Sequence, residues 1–164
     1  MSDISDSLRA AALHYPINQT VGVGNCWAFV NEALVAAGGR SRYGRAGAAL
    51  YQWGEVVRQR TSVRPGHVIQ FSAISFFRFA PPPGTPPTVP APPRSTGPCH
   101  SAIVIDVYNQ GKQMLIRHQN FGVATVRQMY WYFEPGIYTE DGSRTVTIAE
   151  VDNTVTFYRP NTTS

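Results

Sequence analysis

Gly24-Asn25-Cys26-Trp27-Ala28-Phe29-Val30-Asn31-Glu32-Ala33-Leu34 is the stretch that decides how this chain is read. Val30, Ala33, Leu34 and Ala37 recur at the spacing of one helix face. Asn25 is a good N-cap residue, since its side-chain oxygen can accept from an N–H that the first turn leaves unpaired. Gly38-Gly39 supplies a C-terminal stop. The pattern predicts a helix over 26–37 with Cys26 in its first turn. Cys26 stands four residues before Val30, so it shares the inward face. A helix N-terminus carries partial positive charge, which favours thiolate over thiol and predicts a lowered pKa for Cys26.

Before this helix, 5–13 reads as a short amphipathic helix with Ile4, Leu8, Ala11 and Ala12 on one side, ended by Tyr15-Pro16. After it, 40–47 reads as a Gly/Arg-rich loop and 48–53 as a second short helix. Arg64-Pro65-Gly66 is a turn, and 67–71 a strand. Phe76-Phe77-Arg78-Phe79 extends that strand or starts another. Residues 80–98 hold most of the 13 prolines. Proline has no ladder donor, so this segment reads as an exposed loop inserted between core strands, passive or a docking arm.

Two apolar strands follow, 100–107 and 113–120, joined by Asn109-Gln110-Gly111. A three-residue hairpin loop closing on a left-handed glycine pairs Tyr108 with Lys112. His100 then faces Asn120 and Ala102 faces His118. His100, His118 and Asn120 fall on one sheet face, with Gln119 on the other. By the same parity Cys99 points away from Cys26. Further strands are expected within 123–133 and 144–159. The expected fold class is α+β: N-terminal helices packed on a central antiparallel sheet.

Length and composition bound the function. At 164 residues and 43% hydrophobic, the chain reads as a single domain over 1–164, interrupted by the Pro-rich insertion at about 80–98. No apolar run is long enough to span a bilayer, and the acidic, polar start lacks a signal-peptide pattern. The expectation is cytoplasmic synthesis, with any export by a specialised route or by phage-mediated delivery. The net charge is +4, almost all from scattered arginines. That favours anionic partners such as cell-wall polymers, while nucleic acid lacks its usual motifs and is not an expected partner. Two cysteines, Cys26 and Cys99, are fewer than a disulfide framework usually uses, although their one pairing stays open.

Cys26, His67, His100 and His118 contain ligand types for zinc, but no Cys-x-x-Cys or His-x-x-x-His spacing supports a metal site. No metal and no cofactor is expected. A cysteine at a helix start, a histidine at a strand mouth and polar residues beside it carry a different chemistry. A histidine can take the proton of a thiol and pass it on. The aromatic run Tyr130-Trp131-Tyr132-Phe133 reads as strand core before sugar platform.

The Gly-Asn-Cys helix, the Pro-Gly-His-Val-Ile-Gln-Phe strand, the His-Ser-Ala-Ile-Val strand and the His-Gln-Asn-Phe-Gly end resemble the CHAP family of cysteine amidases and peptidases. The wider NlpC-type, papain-like clan shares this layout. The resemblance covers about 21–122, in order. It implies a papain-like architecture with Cys26 as nucleophile, His100 as base, and His118 or Asn120 as the orienting residue. Asn25, Trp27 and Gln119 stand where substrate or oxyanion contacts would be made. His118 departs from the family's usual glutamate, and His67 from the aspartate that often follows Pro-Gly. The implied activity is hydrolysis of an amide in peptidoglycan, as an N-acetylmuramoyl-L-alanine amidase or a cross-link endopeptidase. An antibacterial effector or a lysis enzyme fits, with an immunity or delivery protein as partner. The alternatives are a cytosolic thiol peptidase or deamidase, and a non-catalytic binding or assembly module on the same fold.

Overall fold

The computed structural model describes residues 2–41, 52–72, 75–81, 84, 94–96 and 99–162. Helix α1 is Ser5–His14 and α2 is Cys26–Ala36. The strands are β1 (Glu55–Val57), β2 (Val68–Phe71), β3 (Ser75–Phe79), β4 (Arg94–Thr96), β5 (His100–Tyr108), β6 (Gln113–Gln119), β7 (Val126–Tyr132), β8 (Gly136–Glu140), β9 (Arg144–Asp152) and β10 (Val155–Arg159). The fold is α+β, and every strand pairing among the described residues is antiparallel. Among the described residues no helix is long and apolar enough to cross a membrane.

Six strands form one sheet in the order β1-β10-β2-β5-β6-β7, and four form another in the order β4-β3-β9-β8. The second sheet is the main departure from the expectation of one sheet under helices. It follows from β5, which is apolar on both faces and therefore needs two covers. Ile103 and Ile105 pack with Leu8, Phe29, Val30, Leu34 and Val126 under the helices. Ala102 and Val104 pack with Phe71, Phe77, Met114, Trp131 and Ile148 under the small sheet. Trp131, Tyr132 and Phe133 are buried there, so the aromatic run is core.

Phe76-Phe77-Arg78-Phe79 starts a new sheet and does not extend β2. Most of the Pro-rich insertion lies outside the described residues. Its 94–96 portion pairs with β3 at a sheet edge, where a strand has one neighbour only. The expected helix at 48–53 also lies mostly outside them, and Gln52 and Trp53 are not helical. Trp53 is fully buried.

The β5–β6 hairpin reaches the expected pairing by another route. Tyr108 pairs with Gln113, so the loop has one residue more than the three expected. Asn109, Gln110 and Gly111 all take positive φ. A bulge between Val104 and Asp106 then shifts the register back, and Ala102 faces His118 as expected. The bulge also changes the parity beyond it. Asp106 turns to the helix side and meets Arg9 at 3.6 Å, while Val107 packs into the second core. At the other hinge, Gly66 takes φ +84, and a Cβ there would lie 1.8 Å from the Ser5 carbonyl oxygen. Glycine is required where the turn before β2 meets the start of α1.

Candidate active site

The entry to α2 is built as the sequence predicts. Asn25 is extended, and its side chain accepts from the Ala28 N–H at 2.7 Å. That bond commits the Asn25 carboxamide oxygen to the cap. Trp27, half-buried, packs against the core under the helices. Gln119 braces the same turn from the end of β6. Its Oε1 accepts from the Val21 N–H at 2.7 Å, and its Nε2 donates to the Val21 and Asn25 carbonyls, both at 2.9 Å. With both amide hydrogens engaged, Gln119 is a clasp and not an oxyanion donor.

The clasp holds Cys26 at the first position of α2. Its thiol sits beside the backbone that opens β5, with Sγ 3.8 Å from the Cys99 carbonyl oxygen. This place lies just past the point where the β5–β6 pairing ends, at Ala102 and His118. Burial pushes the thiol pKa up, against the opposing pull of the N–H groups of Ser101, Trp27 and Cys26, and the charge of a Cys99 thiolate adds to the rise. The expected lowering by the helix N-terminus is therefore overturned: desolvation outweighs the amide dipoles. Burial thus favours the neutral thiol.

His100 is the first residue of β5 and faces Phe71 across β2. His118 lies on β6 opposite Ala102 and, on its other side, Arg127 of β7. Both histidines are buried, and His100 Nε2 lies 3.2 Å from His118 Nδ1. Phe121 covers the pair, its ring centroid 6.1 Å from His100 and 5.5 Å from His118. Burial pushes the His100 pKa down to about 4. His118 goes to about 3, through burial first and then the charges of His100 and Arg127. One proton between two neutral rings is the stable arrangement. Nε2 of His118 is buried and has no hydrogen-bond partner among the described residues.

Asn120 does not join them. Its φ of 64 turns the chain out of β6, which ends at Gln119, and it is exposed. Of the two residues left open for the orienting role, His118 is the one in contact with His100 among the described residues. Strand parity does not reach Cys99 either. With φ 62 it lies outside the β5 ladder, so strand parity does not aim it away from Cys26. Among the described residues no hydrogen bond joins Cys26 to His100; each meets the opening of β5 separately.

His67 lies at the opposite end of β2, where its carbonyl accepts from Val104 N–H and its Nδ1 accepts from Arg64 N–H at 3.3 Å. Burial pushes its pKa down to about 4. The four residues that could have made a zinc site are thus divided between two ends of the sheet.

A polar group missed by sequence reading lies behind the site. Gln70 Oε1 accepts from Trp53 Nε1 at 3.0 Å and from Ser101 Oγ at 2.7 Å, while Nε2 donates to the Phe71 and His100 carbonyls at 3.1 Å. The signal was a glutamine inside an apolar strand, where a buried amide needs partners. Comparison of the chain with protein-family models, curated proteins and solved structures found no match to any of them.

Proposed function

We propose that this chain is a thiol hydrolase of papain-like layout that cleaves an amide, with peptidoglycan or a peptide as substrate. Cys26 is the nucleophile, His100 the base and His118 the residue that positions His100. The observation carrying this reading is the 3.2 Å contact between His100 Nε2 and His118 Nδ1. It occupies one ring nitrogen of His100 and leaves Nδ1 without a hydrogen bond among the described residues. If His100 Nε2–H donates to His118, Nδ1 of His100 is the lone-pair nitrogen a base needs. The capped helix start beside the same backbone segment supports the nucleophile assignment.

The resting pair is neutral, so proton transfer belongs to the attack itself. The thiol proton passes to His100 Nδ1 as sulfur adds to the carbonyl carbon. The Cys26 backbone N–H helps hold the oxyanion. The imidazolium then gives its proton to the leaving amine, and a thioester remains. Water, deprotonated by His100, releases the acid and returns the thiol. Substrate must close the gap between thiol and imidazole, as often happens when catalytic hydrogen bonds tighten only in the complex.

Purified peptidoglycan incubated with the protein, followed by mass analysis of the soluble fragments, tests this. New fragments with a freed amine are expected, and Cys26→Ala should release none while keeping the fold. An unchanged fragment profile with wild-type protein, or equal release by Cys26→Ala, would overturn the reading.

A further inference from the structure

The chain has two cysteines, 73 residues apart, and the fold brings them to one place. Cys26 Sγ lies 3.8 Å from the carbonyl oxygen of Cys99. A carbonyl oxygen sits about 2.4 Å from its own Cα, so Sγ is within about 6 Å of Cys99 Cα. A disulfide holds each sulfur about 4 Å from the opposite Cα, so closure needs a shift of up to about 2 Å at the two side chains. Both cysteines are free and half-buried. Cys99 holds a left-handed backbone, φ 62, that costs a side-chain-bearing residue about 1 kcal/mol or more. Strain of this kind concentrates at functional positions. The hydrolytic scheme gives Cys99 no task.

We propose that Cys26 and Cys99 form a dithiol pair that a low-molecular-weight disulfide oxidises to an intramolecular disulfide, with Cys99 as the resolving thiol. Cys26, as thiolate, attacks one sulfur of the small disulfide. That S–S bond breaks, a Cys26 mixed disulfide forms, and one small thiolate leaves. Cys99, as thiolate, attacks the Cys26 sulfur, and the second small thiolate leaves. The two protons lost by the protein end on the two released thiols, so one disulfide is reduced for each one formed. The charge of a Cys99 thiolate is felt at the Cys26 sulfur, in keeping with the 3.8 Å approach. Oxidation would remove the nucleophile of the proposed hydrolase, yet the thiol chemistry stands without that reading.

Oxidised glutathione is the probe, applied to the full chain and read by intact mass and free-thiol titration. Wild type should lose both thiols together and two hydrogens of mass, with no glutathione retained. Cys99→Ser should instead hold one glutathione on Cys26. The adduct should be about ten-fold or more scarcer in wild type, because the second attack is intramolecular. A reductant should restore both thiols. If wild type keeps both thiols, or carries stable glutathione as Cys99→Ser does, the pair does not resolve and the proposal falls. None of these readouts depends on peptidoglycan cleavage.

Discussion

The same end of the β5–β6 pair presents opposite chemistry on its two faces. On the helix side, Gln70, Ser101 and Gln119 share their polar atoms with Trp53, Val21, Asn25 and the backbone. On the other side, His100 and His118 share one contact, and Nε2 of His118 stays without a partner among the described residues. Both faces are buried. A buried polar group that is fully bonded stabilises a scaffold, whereas one left short of partners costs free energy and remains available. The glutamine face fixes the cysteine, and the histidine face holds the titratable groups.

Acid offers the largest way to test this division. His67, His100 and His118 fold with pKa values near 4, 4 and 3, below the ordinary 6.5. Between those values the unfolded chain binds more protons than the folded one, so stability falls as pH falls. It is fully present above about 6.5 and is lost towards about 3–4. Each pH unit between a histidine's unfolded and folded pKa is worth about 1.4 kcal/mol, so the loss reaches several kcal/mol. Denaturant unfolding at pH 7 and in mild acid should read it. His118→Leu should flatten the pH dependence and Gln119→Leu should not. The reverse outcome would break the comparison.

A smaller effect separates the faces at neutral pH. Gln119→Leu strands the Val21 N–H and takes one of two hydrogen bonds from each of the Val21 and Asn25 carbonyls, costing about 2–3 kcal/mol. His118→Leu strands His100 Nε2 but also removes the unpartnered His118 nitrogen, so its cost should be smaller, about 1–2 kcal/mol. Denaturation midpoints for the two variants give the ranking directly.

Activity should follow the histidine face. His100→Ala should lower amide cleavage by about 100-fold, the usual weight of a general base. The acid limb of the wild-type pH profile should fall near pH 4, since His100 charges only there. A limb near 6.5 would mean that the imidazole is wetter than this burial allows. The smallest effect is at the far end of the hairpin. Gly111 has φ +86, and a Cβ there would lie 2.8 Å from the Arg60 carbonyl oxygen. Gly111→Ala should cost about 1–2 kcal/mol and loosen both faces equally, because one hairpin sets the register of both.

The α2 helix, its Asn25 cap and the strands carrying His100 and His118 were legible because each rests on a local pattern. The hairpin was legible in outcome but not in route. Its longer loop and the bulge at Ile105 cancel, and only the cross-strand pairing exposes either. The second sheet was not legible, since strands β3, β8 and β9 carry no mark of which neighbours they choose. Asn120 was misplaced because strand parity was carried one residue beyond the strand's end, and parity has no hold on Cys99, one residue before the start of β5.

The sequence by itself determined the two helices, the position of Cys26 at a capped helix start, and the strands that carry His100 and His118. These follow from periodicity and capping, which act within a few residues. Only the tertiary structure decided the protonation of those groups and their company. Desolvation raises the Cys26 pKa and lowers those of His100 and His118, and burial is a property of what packs around a residue. The clasp of Gln119 and the approach of Cys99 to Cys26 join residues 94 and 73 positions apart. No local rule reaches that far, because such contacts exist only after the core has closed.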